Sequence, residues 1–213
     1  MIGGGLVCAA VAWWQVLAVN RGLVVRDFVQ DGVPIRYLVA EDAADAPGVV
    51  VAHGFSGSRQ LMLAFGYKLA NAGYGVALLD FAGHGANRAP FPTDDGGSRL
   101  QADVDAAIVA LRAQPEVDEA RVALLGHSMG SGAVMRAGVR LDDELAATIA
   151  VSPTSAEVSP ERPRNFFLIA GQFEQRFVDN ALGLLADAGG ANDNFDAGLA
   201  RSFQEIPTVE HIT

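Results

Sequence analysis

The run Gly126-His127-Ser128-Met129-Gly130 sets a serine hydroxyl between two glycines, and such a hydroxyl becomes a nucleophile once a nearby base takes its proton. Its neighbours give the run meaning. The apolar, strand-like Arg121–Leu125 precedes it, and a helix is expected from Ser128 to Val139, opening on Gly130, Ser131, Gly132 and Ala133. A sharp strand-to-helix turn would lift Ser128 out of a sheet, with Gly126 and Gly130 leaving room for backbone to pass. The helix N-terminus would then aim N–H groups at charge developing beside Ser128, and Met129 N–H is one expected oxyanion donor. Stripped of this setting, the same five residues would be a glycine-rich turn with a capping serine.

Four histidines, at 53, 84, 127 and 211, are the available bases. None stands in an H-E-x-x-H or comparable ligand spacing, so no metal site is expected, and no cofactor is implied. Cys8 is the single cysteine, which excludes both a disulfide framework and a thiolate metal site. The formal charge of −10, from 25 acidic against 15 basic residues, comes without a Lys/Arg cluster able to follow a row of phosphates. Nucleic acid is therefore not an expected partner.

The elements that must position Ser128 alternate along the chain. Leu23–Gln30 and Val33–Ala40 are β-branched runs separated by Asp31-Gly32, a hairpin signal. Gly48–Ala52 is a short continuous apolar run of the sort buried on both faces of a sheet. A helix over Ser58–Ala72, a strand over Gly75–Phe81, a helix over Ser98–Ala113 and the strand before Ser128 follow. Further strands are expected at Ala147–Val151, Asn165–Ala170 and Arg201–Ile206, with a helix around Gln175–Ala186. This order predicts an α/β fold with a doubly wound, mostly parallel sheet. The connection from Pro153 to Arg164 is nearly minimal for a crossover and carries Pro153, Pro160 and Pro163, so no cap domain is expected there and the site should be open.

With 213 residues, one catalytic domain over 22–213 is expected, preceded by a hydrophobic segment over 1–21. Ile2 to Asn20 is uncharged and just long enough for a bilayer core, which predicts a membrane anchor, with a signal peptide or a buried helix as alternatives. Arg21, Arg26 and Arg36 follow it, and the positive-inside bias would then leave the catalytic domain on the cytoplasmic side.

Taken together, these motifs resemble the α/β-hydrolase superfamily from about Val33 to the C-terminus. His53-Gly54-Phe55 resembles that family's oxyanion loop, which implies Phe55 N–H as a second donor. Asp80-Phe81-Ala82-Gly83-His84-Gly85 resembles its D-x-x-G-H-G turn. The resemblance implies structural hydrogen bonds for His53 and His84, and makes His127 the variable residue of the turn at Ser128. It places the acid after the strand ending Leu168-Ile169-Ala170, where Glu174 is the candidate, in a position more usually held by Asp, and Asp179 the second choice. It places the base last, and His211 is the only histidine after the acid.

The implied chemistry is a serine hydrolase acting on small or medium acyl esters, His211 taking the Ser128 proton and Glu174 steadying the imidazolium. A peptidase or amidase of the same fold, and a non-catalytic binding module, are the alternatives. The superfamily's histidine is normally followed by a final helix, and with Thr213 only two residues beyond His211 that helix is expected to be missing.

Overall fold

The computed structural model of the protein describes residues 13–14, 19–94, 96–154, 163–187 and 201–207. The hairpin forms as patterned: β1 (Leu23–Gln30) and β2 (Val33–Ala40) pair antiparallel from Leu23↔Ala40 to Gln30↔Val33. Asp31 and Gly32 turn it with φ of 50° and 83°, the left-handed values of a tight turn. β2 then pairs antiparallel with β4 (Gly75–Leu79), and every other strand runs parallel.

With β3 (Ala46–Ala52), β5 (Val117–His127), β6 (Ala147–Val151), β7 (Phe166–Gly171) and β8 (Arg201–Ile206), the eight-stranded order is β1-β2-β4-β3-β5-β6-β7-β8. The chain leaves β3 for β4 on one side and returns to β5 on the other. The ends of β3 and β5 therefore flank a topological switch point, where open α/β sheets keep room for a ligand.

Period-two alternation divides the core. Ile35, Tyr37, Val50, Ala52, Leu79 and Leu124 pack on one face against α2 (Ser98–Arg112) and α3 (Met129–Arg140). Leu38, Val49, Val51, Val76 and Leu78 face the other way, where α1 (Leu63–Asn71) covers them. α4 (Gln175–Asp187) buries Val178, Ala181, Leu184 and Leu185 against Phe166, Leu168 and Phe203 of the last two strands. Each Val, Leu, Ile or Phe among them contributes about 1.5–3 kcal/mol of burial.

Two elements depart from their patterned bounds. The helix expected from Ser58 starts at Leu63, because Ser58–Met62 forms turns that carry Arg59 N–H to the Asp80 carboxylate at 2.8 Å. β5 begins four residues early, at Val117, which pairs with Ala46.

The expected membrane attachment is corrected: among the described residues no helix is long and apolar enough to cross a membrane. A span needs about 20 apolar residues, whereas α2, the longest described helix, has 15 and carries Arg99, Asp103, Asp105 and Arg112. Of the segment over 2–20, all but Trp13, Trp14, Val19 and Asn20 lies outside the described residues, as does most of the Pro153–Arg164 connection.

Candidate active site

β5 ends at His127 and α3 begins at Met129, so Ser128 alone makes the strand-to-helix turn. It does so at φ 51° and ψ −117°, a conformation that costs an L-residue about 1–3 kcal/mol and persists only where its surroundings hold it. Ser128 N–H donates to the Val151 carbonyl at 2.9 Å, and its own carbonyl accepts from Ser131 N–H and Oγ. A Cβ on Gly130 would lie 2.6 Å from the His53 carbonyl oxygen and 2.7 Å from that of Ala52. Only glycine lets the first turn of α3 cross the end of β3 so closely.

That crossing brings His53-Gly54-Phe55 beside the elbow, where a Cβ on Gly54 would stand 3.2 Å from Ser128 Cβ. His53 is fully buried. Its Nε2 accepts from Phe81 N–H at 3.1 Å, so its proton belongs on Nδ1, which donates to the Gly54 carbonyl at 2.7 Å. Burial is the largest cause holding its pKa below the ordinary histidine value. His84 lies between the Ala82 carbonyl, 3.0 Å from Nδ1, and the Phe55 carbonyl, which its Nε2 contacts. The Phe55 ring is largely exposed and meets His84 and Phe91 edge-on at 5.7 and 5.4 Å between centroids. Asp103, its carboxyl pushed up mainly by burial, accepts from Ala82 N–H at 2.8 Å and ties this turn to α2.

Glu174 follows β7 and is 6% exposed. Its carboxylate accepts from Gly171 N–H at 2.6 Å and from Ser152 Oγ, which is 2.9 Å from each carboxylate oxygen. Glu174 and Ser152 line a cavity of about 450 Å³ at the C-terminal ends of the strands. Its walls are otherwise mostly apolar, with Leu61, Phe65, Val151, Ile169 and Ile206 among them, and His127 also faces it. Asp179 sits on the exposed side of α4 and accepts from Gln175 at 2.8 Å. His211 lies outside the described residues. The structure thus brings the Phe55 loop, Ser128 and Met129 together, and holds Glu174 buried at the neighbouring strand ends. Ser152 was not singled out by sequence, since its partner is 22 residues away and no local spacing marks it.

A family model described as serine aminopeptidase, S33 (Hydrolase_4), matches residues 45–194. The chain belongs to this α/β-hydrolase family. An uncharacterized protein of Mycobacterium tuberculosis (strain ATCC 25618 / H37Rv) is 31% identical over 195 residues, covering 87% of this chain and 66% of that one. The chain thus spans just under two thirds of the length of that relative. Among solved structures, the α/β-hydrolase resembles esterase Est22, with TM-score 0.66 and 14% identity over 88% of this chain and 72% of the other. It also resembles a bacterial heroin esterase, with TM-score 0.61 and 16% identity over 88% and 75%. At these identities the likeness concerns the fold.

Proposed function

We propose that this α/β-hydrolase cleaves carboxylic esters of small or medium acyl groups by nucleophilic catalysis at Ser128. The observation that carries the proposal is the strained Ser128 at the head of α3, with φ 51°, beside the Gly54-Phe55 loop. Ser128 Oγ attacks the ester carbonyl carbon while His211 takes its proton. The carbonyl π electrons move onto oxygen, where Met129 and Phe55 N–H groups receive the charge. Collapse expels the alcohol, protonated by His211, and leaves an acyl-serine that water hydrolyses by the same steps.

Glu174 is the acid that steadies the imidazolium. Ile206 pairs with Gly171 and accepts from Gln172 N–H at 2.8 Å, and its side chain lines the same cavity as Glu174. From there His211 is five residues further along the chain, a stretch of up to about 17 Å that is long enough for the imidazole to reach that carboxylate. The apolar cavity suits an uncharged acyl or alkyl group, the kind of small-molecule partner this chemistry needs.

A second reading, cleavage of a peptide or amide bond, is favoured by the serine aminopeptidase description of the family. The same first contacts serve both, so the leaving group decides between them.

The test is fluorophosphonate labelling of the full chain, alongside turnover of p-nitrophenyl butyrate and of aminoacyl p-nitroanilides. Wild type should be labelled and should turn over the ester, and Ser128→Ala and His211→Ala should lose turnover. An unlabelled wild type, or a Ser128→Ala chain labelled as well as wild type, overturns the nucleophile. Preference for the anilides selects the second reading.

A further inference from the structure

Ser152 directly follows β6 as Ser128 directly follows β5, and it too is forced to positive φ, here 49°. These are two of only four non-glycine residues at positive φ among the described residues, the others being Asp31 and Asp45 in surface turns. A serine left in such a conformation in the interior suggests a constraint stronger than local preference. Ser152 N–H donates to the Ile169 carbonyl at 2.7 Å, which continues the sheet pairing past the end of β6. The side chain is thereby turned toward β7 and the buried Glu174.

We propose, resting on the assignment of Glu174 as the acid, that Ser152 is a positioning residue whose hydroxyl fixes the Glu174 carboxylate for the base. Ser152 Oγ is 2.9 Å from Oε1 and 2.9 Å from Oε2, while Gly171 N–H holds Oε2 alone at 2.6 Å. Ser152 Oγ bridges the two carboxylate oxygens and Gly171 N–H pins one of them, which together set the carboxylate plane. Gly171 anchors Oε2, and the single hydroxyl proton of Ser152 stops the group from swinging about its last torsion. Ser152 is 3% exposed, so water is a poor substitute for its hydroxyl. A hydrogen bond to a buried charged group is also among the stronger ones.

Because it acts through Glu174, Ser152 should affect turnover rather than substrate capture. Ser152→Ala removes only the hydroxyl and leaves a Cβ at positive φ, whereas Ser152→Gly removes the whole side chain but tolerates positive φ. Both should lower kcat about tenfold, with KM within about twofold, the size expected from one lost hydrogen bond to a charge. With one donor fewer, the carboxylate becomes a stronger partner for imidazolium, which moves the acidic limb of the kcat/KM profile to higher pH. His127 is the other ionisable side chain described on the cavity wall, and a His127→Gln control identifies any limb that belongs to it.

The deciding measurement is a double-mutant cycle with p-nitrophenyl butyrate on the full chain. In a Glu174→Gln background, Ser152→Ala should cost almost nothing further. An equal tenfold loss in that background overturns the proposal, as does an unmoved acidic limb in both single variants. If Glu174→Gln itself leaves kcat intact while Ser128→Ala abolishes it, the acid assignment has failed and the positioning role falls with it. If Ser152→Ala is poorly folded, Ser152→Gly carries the comparison.

Discussion

Asp80 and Glu174 are both buried carboxylates just beyond the C-terminal ends of parallel strands, one after β4 and the other after β7. Their surroundings differ. Asp80 accepts from Arg59 N–H at 2.8 Å and Ala86 N–H at 2.9 Å, and the Arg59 guanidinium stands 3.5 Å away. One oxygen is tied to the turns after β3 and the other to its own loop. Glu174 accepts from Gly171 N–H and from the Ser152 hydroxyl and lines a cavity. The contrast separates a carboxylate that ties two loops together from one that faces a cavity at the strand ends.

The contrast breaks most sharply in kinetics. Glu174→Gln should keep the fold yet lower kcat by about 10⁴-fold, the scale on which an acid of a Ser-His-acid relay acts when its charge is removed. Its melting temperature should stay close to wild type. A kcat within tenfold of wild type would place Glu174 with Asp80, as a structural acid.

Asp80→Asn should do the reverse. The amide can still accept one N–H but sets its NH₂ against another donor and removes the charge facing Arg59. About 3 kcal/mol of stability should be lost in denaturant unfolding, as when a buried charge pair is broken. Activity per folded molecule should fall far less. Gly85→Ala strikes the same clamp from the other side. Gly85 has φ 53°, and a Cβ there would collide with the Asp80 carboxylate. A destabilisation of about 2 kcal/mol is expected from strain and displacement together, read as a lower urea midpoint with an unchanged slope.

These two carboxylates also show what the sequence could and could not reveal. The hairpin of β1 and β2 was legible residue for residue, because period-two burial and Asp31-Gly32 are local signals. Ser128 at its turn was legible for the same reason, since strand, pentapeptide and helix are contiguous. The partners of Asp80 and Glu174 were not. Arg59 N–H reaches Asp80 across 21 residues and Ser152 reaches Glu174 across 22, and no spacing rule records where such a contact closes. The first of these contacts also explains why the helix expected at Ser58 begins at Leu63. The uncharged stretch from Ile2 to Asn20 misled for a related reason: its length and apolarity match a bilayer, but composition alone does not say what an apolar segment packs against.

The smallest expected effect tests whether the Asp80 loop is held by a neutral ring on its inner side. His53 accepts from Phe81 N–H, one residue past Asp80, and that bond requires an unprotonated Nε2. Burial holds the His53 pKa below its ordinary 6.5 in the folded protein. Just below pH 6.5 the unfolded chain therefore binds more protons at this site than the native one, and stability falls as the pH is lowered. The contribution is fully present above 6.5 and is lost as the pH drops toward the depressed native value. Thermal unfolding of wild type from pH 7.5 to pH 5.5 should show this decline, whereas His53→Asn, less stable at pH 7.5, should show a shallower one. Parallel curves for the two proteins would assign the acid sensitivity to carboxylates elsewhere, leaving the β4 end of the sheet held by Asp80 without help from the histidine.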